Sequence, residues 1–176
     1  MAGTLNIGSK TLATHSTSNN TISINSNVVF PAEHIIQTHF FSTTAQPSVV
    51  TATFDSFSTP FKTTITNTKS NSSFLILVSM VVLTSSGSTA TFRARLKDNT
   101  NNATVGNEGT NGLFGGFFGS GYSDVLQINH SEIYSPVSHA GGSLEIEVLV
   151  KQHTNYTTYL NTAGLSSSLT ILEISG

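Results

Sequence analysis

Six histidines are the residues of this sequence that could most readily bind a metal ion. His34 and His39 are five residues apart, so on a strand they would point to opposite faces. His130 and Glu132 would share one face, but they supply only two ligands where a zinc site needs three or four. No two histidines are separated by a single residue, which is the spacing that a cupin-like site needs. The sequence therefore predicts no metal site.

Carboxylates and hydroxyl groups show no catalytic arrangement either. Glu145 and Glu147 share one face of a predicted strand, as any solvated pair would, and nothing indicates the groove that glycosidase carboxylates flank. The segment around Ser120 and Ser123 does not match the G-x-S-x-G pattern, and no helical pattern follows it. No glycine precedes a lysine, which excludes a phosphate-binding P-loop. We predict a non-enzymatic protein with no catalytic residues and no cofactor.

The amino-acid composition indicates the type of secondary structure that holds these histidines, carboxylates and hydroxyl groups in place. Serine and threonine supply 52 of the 176 residues and asparagine 15, while charged residues make up 9% and cysteine and tryptophan are absent. Threonine favours pleated strands, and asparagine, serine and glycine favour tight turns. Helix-forming residues are scarce, and the length suits one main domain with a core. The fold class is therefore predicted to be all-β.

Charge and hydropathy exclude two classes of partner. The formal net charge is −2, and the seven lysines and arginines are spread along the sequence, so we expect no nucleic-acid partner. No apolar run approaches the roughly 18 residues of a transmembrane helix, so we expect no membrane insertion. The first residues, Met1–Asn6, lack the basic and apolar blocks of a signal peptide. We therefore expect the protein to be made and assembled in the cytoplasm of a host cell.

Strand patterns recur from Pro31 onward at intervals of about ten residues, with turn clusters between them. This rhythm is typical of an antiparallel β-sandwich, and here of a jelly-roll-like one. Apolar residues alternate with cations in 88–98 and with glutamates in 143–152, so each of these strands has one solvated face. The predicted strands span residues 33–43, 48–54, 60–66, 73–84, 88–98, 123–129, 143–152, 156–161 and 167–174.

The predicted strand 73–84 is unusual because it is apolar on both faces. One parity carries the series from Phe74 to Val82, and the other carries Leu75, Leu77, Val81 and Leu83. An antiparallel sandwich buries only one face of each sheet, so the second face needs another cover. We predict that Leu75, Leu77, Val81 and Leu83 contact a second copy of the chain.

A glycine- and phenylalanine-rich stretch, Asn111–Tyr122, breaks the strand rhythm. It places Phe114, Phe117, Phe118 and Tyr122 among five glycines. Two interpretations remain open for this stretch, which we predict to be a loop. The phenylalanines could tuck under their own sandwich, or they could form an interface or a receptor-facing tip, because exposed aromatic residues are enriched at contact surfaces.

Residues 1–30 contain too few large apolar side chains to build a core. The large aliphatic residues that follow the initiator up to residue 27 are Leu5, Ile7, Leu12, Ile22 and Ile24. Such a segment recovers little of the ordering cost of about 1 to 2 kcal/mol per residue by self-burial. We predict an extended N-terminal arm over residues 1–30 that anchors a jelly-roll-like sandwich over residues 31–176.

Several short segments resemble a recurrent domain of tailed-bacteriophage virion proteins. The resemblance covers residues 28–176, and its motifs are short and apolar. More loosely, the chain resembles the trimeric jelly rolls of the tumour-necrosis-factor and complement type. The segments that carry the resemblance are Val28–Gln37, Ser72–Ser79, Thr91–Arg95, Thr158–Asn161 and Ser168–Ile174.

The resemblance implies a virion location and a structural role, and it transfers no catalytic residue. It implies an oligomeric tail-fibre or appendage component, with a capsid decoration protein as the first alternative and a carbohydrate-binding or carbohydrate-active module as the second. The expected partners are two further copies in a homotrimer, other tail or capsid proteins, and a host surface glycan.

Overall fold

The structure is a computed structural model, and it describes residues 3–7, 10–16, 21–24, 34–84, 90–106, 112–118, 125–137, 139–152, 157–162 and 164–176. The chain divides into two compact units, Met1–His34 and Ile35–Gly176. The described residues form strands, turns and loops, without a helix among them. The predicted all-β fold class is therefore confirmed. Within the same ranges, no helix is long and apolar enough to cross a membrane.

The first unit contains a three-stranded antiparallel sheet. Its strands are β1 (Gly3–Ile7), β2 (Lys10–Ser16) and β3 (Thr21–Ile24), with β2 in the middle. The sequence predicts an extended arm, and the structure differs because these strands pair with one another, which satisfies backbone N–H and C=O groups locally. The anchoring role of this segment stays a prediction. The candidate anchoring residues all lie on these strands: Leu5, Ile7, Leu12, Ile22 and Ile24.

The second unit contains the remaining described strands. They are β4 (Ile35–Thr43), β5 (Ser48–Val49), β6 (Lys62–Thr68), β7 (Ser73–Thr84), β8 (Ala90–Asp98), β9 (Ala103–Val105), β10 (Phe114–Phe118), β11 (Val125–Tyr134), β12 (Gly142–Gln152), β13 (Thr158–Leu160) and β14 (Ser167–Ile174). All pairings between them are antiparallel.

The first sheet of this unit is built around β7. Strand β11 pairs along one edge of β7. Along the other edge, β14 and then β13 pair with successive parts of β7, so these two strands share one column of the sheet. Strands β4 and β5 form the outermost column, because β4 pairs with β14 and β5 with β13.

The second sheet is built around β8 and β12. Strand β12 lies between β6 and β8, and β10 and β9 pair with successive parts of the other edge of β8. The chain alternates between the two sheets as it passes from β5 through β6, β7, β8, β11 and β12 to β13. Two packed antiparallel sheets of four columns joined in this way form a jelly roll. The predicted jelly-roll-like sandwich is confirmed.

The core lies between the two sheets and follows the predicted alternation. In β7 the residues of the parity that begins at Phe74 are buried, and β8 and β12 bury their apolar parity in the same way. Pairing of complementary apolar faces is therefore what holds the two sheets together. The core residues of these three strands are Phe74, Ile76, Val78, Met80, Val82, Phe92, Ala94, Leu96, Leu144, Ile146, Val148 and Val150.

Strand β10 corrects the prediction of a loop over Asn111–Tyr122. Its backbone pairs with β8 from Phe114 to Phe118. Glycine, which usually indicates a turn, serves here to let two backbones approach: a Cβ on Gly115 would lie 2.2 Å from the carbonyl oxygen of Phe92. A Cβ on Gly116 would lie 1.9 Å from Leu126 Cδ2. The glycines therefore permit this strand to pack at the edge of the sandwich.

Candidate functional site

The outward-facing side of the first sheet carries a continuous apolar surface, which we call the outer apolar band. Directly opposed residues of a sheet point to the same side, so the register places Leu172, Leu75 and Ile133 in one row across three strands. The next row contains Phe40, Thr170, Leu77 and Ser131, and Ile35 and Ile174 lie at the end of the band. We define the band as Ile35, Phe40, Leu75, Leu77, Ile133, Leu172 and Ile174.

The band is exposed in the single chain. Ile133 is 66% exposed, Phe40 63%, Ile35 50% and Leu77 38%. A shallow depression adjoins Leu77, and its other lining side chains are small or polar ones from β7, β11 and β14. Contiguous exposed apolar patches are typical of protein–protein interaction sites and of ligand-binding grooves.

The structure distributes the predicted interface residues of β7 over three environments. Leu75 and Leu77 belong to the outer apolar band. Val81 is buried within the chain itself, where its backbone N–H donates to Ser167 Oγ. Leu83 is half-buried beyond the band and lies opposite Val125. The available apolar surface is therefore centred on Leu75 and Leu77.

Sequence patterns did not indicate that Phe40 and Ile133 belong to the same surface. Their nearest neighbours on the same strand face are polar, Thr38 and Ser42 beside Phe40 in β4, and Ser131 and Ser135 beside Ile133. Only the pairing of β4 with β14, and of β7 with β14 and β11, brings them together with Leu77 and Leu75. Strand register is the missing information.

The phenylalanines of the glycine-rich strand are described in part. Phe114 is half-buried and packs against the core, with its ring stacked on His130 at a centroid distance of 4.6 Å and an interplanar angle of 17°. The backbones of Phe117 and Phe118 lie in β10, but their side chains fall outside the described part of the chain, as does Tyr122. Phe114 therefore packs under its own sandwich, which is the first of the two interpretations. A contact role for Phe117, Phe118 and Tyr122 stays a prediction.

The histidines do not converge with other ligands in the described residues. His130 Nε2 lies 3.4 Å from Glu132 Oε2, as their shared face predicts. His139 is buried and its Nε2 lies 2.7 Å from Thr68 Oγ1, which identifies it as part of a hydrogen-bonded turn. Within the described ranges, no three His, Asp or Glu side chains lie close enough to hold a metal ion.

The two glutamates of β12 are occupied by structural hydrogen bonds. Asn99 Nδ2 donates to Glu145 Oε1 at 3.0 Å and to Glu147 Oε2 at 2.7 Å. Burial opposes ionisation of Glu145, but the hydrogen bond from Asn99 and the ammonium of Lys62 outweigh it and lower the pKa of this carboxyl. The lowered pKa keeps the Glu145 carboxyl ionised at neutral pH, where a general acid has to be protonated.

Tyr134 and Asp98 form a buried polar pair at one edge of the sandwich. The Tyr134 hydroxyl donates to Asp98 Oδ2 at 2.8 Å, and Asp98 also accepts from the backbone N–H and the side chain of Asn101. Burial, followed by the hydrogen bond to Asp98 and its negative charge, raises the pKa of the Tyr134 phenol well above its usual value of 10.0. This tyrosine stays protonated in the folded protein.

This pair predicts a loss of stability in alkaline solution. The phenol ionises near pH 10 in the unfolded chain and only at higher pH in the folded one, so ionisation favours unfolding. We expect the free energy of unfolding to be unaffected by this group below about pH 10 and to fall above it. Urea denaturation at a series of pH values measures this. In Tyr134→Phe the free energy of unfolding should decrease less steeply above about pH 10. An equally steep decrease in that variant would contradict the role of Tyr134.

Comparisons with known proteins leave the chain without an assigned family. No family model matches the sequence, and no curated protein matches it. Among solved structures, the chain is similar to one in the "Structure of infectious bursal disease virus Gx strain", with 10% sequence identity and a TM-score of 0.38. The alignment covers 88% of this chain and 46% of that chain, so this chain spans less than half of its length. The candidate site is therefore defined by the geometry of this chain alone.

Proposed function

We propose that this chain is a non-enzymatic structural protein of a virus particle that assembles with copies of itself through the outer apolar band. The single observation that carries the proposal is the exposure of Phe40, Leu77 and Ile133 on one continuous sheet face. A monomer would leave this surface in water, whereas contact with a partner removes it at a gain of about 25 cal/mol per Å² of apolar surface. Jelly rolls recur in capsid and lectin domains, and this architecture accommodates such a role.

Self-association is the simplest way to bury the outer apolar band. Every copy of the chain presents the same apolar surface, and most oligomers of a single chain close with point-group symmetry. The neighbouring positions on the same face of β7, β11 and β14 are serine, threonine and asparagine, and uncharged side chains of this kind are typical of the centre of an interface. Three is the number of copies in the jelly rolls that the sequence resembles, and we propose a homotrimer.

The part of the virus particle to which the chain belongs is proposed from the resemblance of residues 28–176 to tailed-bacteriophage virion proteins. This resemblance favours a tail-fibre or appendage component of a tailed bacteriophage, with the chain exposed on the virion. A decoration protein on the capsid is the competing assignment. Electron microscopy of particles labelled at the C-terminus of this chain separates the two, because label on the head would contradict the appendage assignment.

The assembly is tested by changing the centre of the band. Leu77→Lys places an ammonium where a partner would bury it, at a cost of about 2 kcal/mol or more for each interface. Light scattering at micromolar concentration should report an oligomer for the unchanged chain and a shift to monomer for this variant.

A matched control keeps this test specific. Leu165 is also a partly exposed leucine, 43% against 38% for Leu77, but it lies in the turn before β14 and outside the band. Leu165→Lys should therefore leave the oligomer intact. A well-folded monomer for the unchanged chain, or equal dissociation by both variants, would overturn the proposal.

A further inference from the structure

A depression on the outward-facing side of the first sheet adjoins the outer apolar band at Leu77. It lies where two successive rows of short polar side chains cross β14, β7 and β11, and it has a volume of about 420 Å³. Small-molecule sites typically have volumes of roughly 300 to 1,000 Å³, so this size suits a small ligand. We call it the polar depression, and its short polar residues are Ser79, Asn129, Ser131, Ser168 and Thr170.

The five polar side chains of the depression have unused hydrogen-bonding groups. Within the described part of the chain, none of these side chains makes a hydrogen bond with another protein group. Other short polar side chains of this unit are paired, since Ser72 Oγ donates to Glu173 and Ser167 Oγ donates to Asn161. Hydroxyl and carboxamide groups both donate and accept hydrogen bonds. The depression therefore offers a ligand both donors and acceptors around the aliphatic side chain of Leu77.

The surroundings of these groups are electrically neutral. Of the described residues that line the depression, only His130 has a titratable side chain. Its ring is already stacked on Phe114, and its Nε2 lies 3.4 Å from Glu132 Oε2. Recognition of an ionic ligand depends on opposite charges in the site. The polar depression therefore favours a neutral ligand that carries several hydroxyl groups.

We propose that the polar depression binds a neutral saccharide unit. A pyranose ring combines hydroxyl groups with an apolar C–H face, which matches polar side chains arranged around Leu77. The proposal goes beyond self-assembly, because Ser79 and Asn129 lie on the side of Leu77 away from the rest of the outer apolar band. A second copy can therefore cover the band and leave this part of the depression open.

Two other classes of ligand fit this surface less well. A nucleotide or an acidic glycan needs cations, and among the described residues the outward positions of β4, β7, β11 and β14 carry none. An extended peptide binds to a sheet by adding a strand at an edge. The depression instead lies across β7, which has strand neighbours on both sides.

The test measures binding of maltotriose, mannotriose, chitotriose and lactose to the full chain by titration calorimetry, with sialyllactose as the charged counterpart of lactose. At least one neutral saccharide should bind at millimolar concentration or below, and sialyllactose should bind no more tightly than lactose. Asn129→Ala should weaken binding about tenfold, as expected for the loss of one or two neutral hydrogen bonds. Ser79→Val should weaken it further, because a larger side chain that suits a strand fills the depression.

Gln127→Ala provides the matched control. Gln127 is an exposed carboxamide on the same face of β11 as Asn129, but it does not line the depression. Its replacement should change binding less than about twofold. Failure of all four neutral saccharides to bind, or equal weakening by Gln127→Ala and Asn129→Ala, would refute the saccharide site.

Light scattering of the same variants separates this site from the contact between copies. Asn129→Ala and Ser79→Val should keep the oligomeric state of the unchanged chain. Dissociation of the oligomer by both variants would overturn the proposal and assign the depression to the contact between copies. A monomeric chain that binds saccharide through Asn129 would contradict the proposed assembly and support this site.

Discussion

Replacement of Glu173 by alanine is expected to lower the free energy of unfolding by about 3 to 5 kcal/mol, the range for breaking a buried charged network by removal of one partner. Glu173 is 1% exposed, near the end of β14. Its carboxylate accepts from Ser72 Oγ and from the backbone N–H of Lys69, each at 2.6 Å, and from Gln37 Nε2 at 2.5 Å. Alanine would leave these donors without this acceptor at a site where Glu173 and Ser72 are both buried.

Two further variants separate this network from a general effect of charge. Glu173→Gln keeps an acceptor oxygen at the same place and should lose less stability than alanine does. Glu145→Ala removes a carboxylate that is partly solvated on the outward-facing side of β12, and exposed ion pairs of this kind contribute about 0 to 1 kcal/mol. Urea denaturation followed by circular dichroism measures all three. Similar losses for Glu173→Ala and Glu145→Ala would contradict the buried network.

The alternation of side chains along single strands was predictable from the sequence, because burial imposes a period of two. It identifies the core face of β7 and the more exposed face of β8. For β12 the predicted solvated face is wrong in its centre, because Glu147 and Leu149 on the outward-facing side are buried. Strand β10 was not predictable in the same way. Gly115 and Gly116 are required by close backbone and side-chain approach, but the same residue type also forms turns, so the local pattern favours a loop.

The surfaces of the sheets depend on register, which single-strand patterns do not contain. Leu77 is recognisable as an outward apolar residue from the parity of β7 alone. Its neighbours Phe40 and Ile133 come from strands that are far apart in sequence. The choice of partner strand is made by the whole core, so candidate sites of this kind emerge only after folding.

Asn161 is expected to be the most sensitive asparagine among the described residues. It is fully buried after β13 and has a left-handed backbone with a φ of 64°. Its Nδ2 donates to the carbonyl oxygens of Thr43 and Ala45 at 2.9 and 2.7 Å, and its Oδ1 accepts from Ser167 Oγ at 2.6 Å. One side chain thus ties the end of β4 to the start of β14.

We expect Asn161→Ala to lower the free energy of unfolding by about 4 kcal/mol. The substitution removes the hydrogen-bond partner of two backbone carbonyls and of the buried Ser167 hydroxyl, and it leaves an alanine at positive φ. Asn161→Gly relieves only the backbone part and should recover about 1 kcal/mol. Asn102 supplies the control, since it has a φ of 50° but is exposed, so Asn102→Ala reports the backbone cost alone. Thermal and urea unfolding measure the three variants. If Asn161→Ala and Asn102→Ala cost the same, the side-chain network of Asn161 contributes nothing, and the join between β4 and β14 must be held by the core instead.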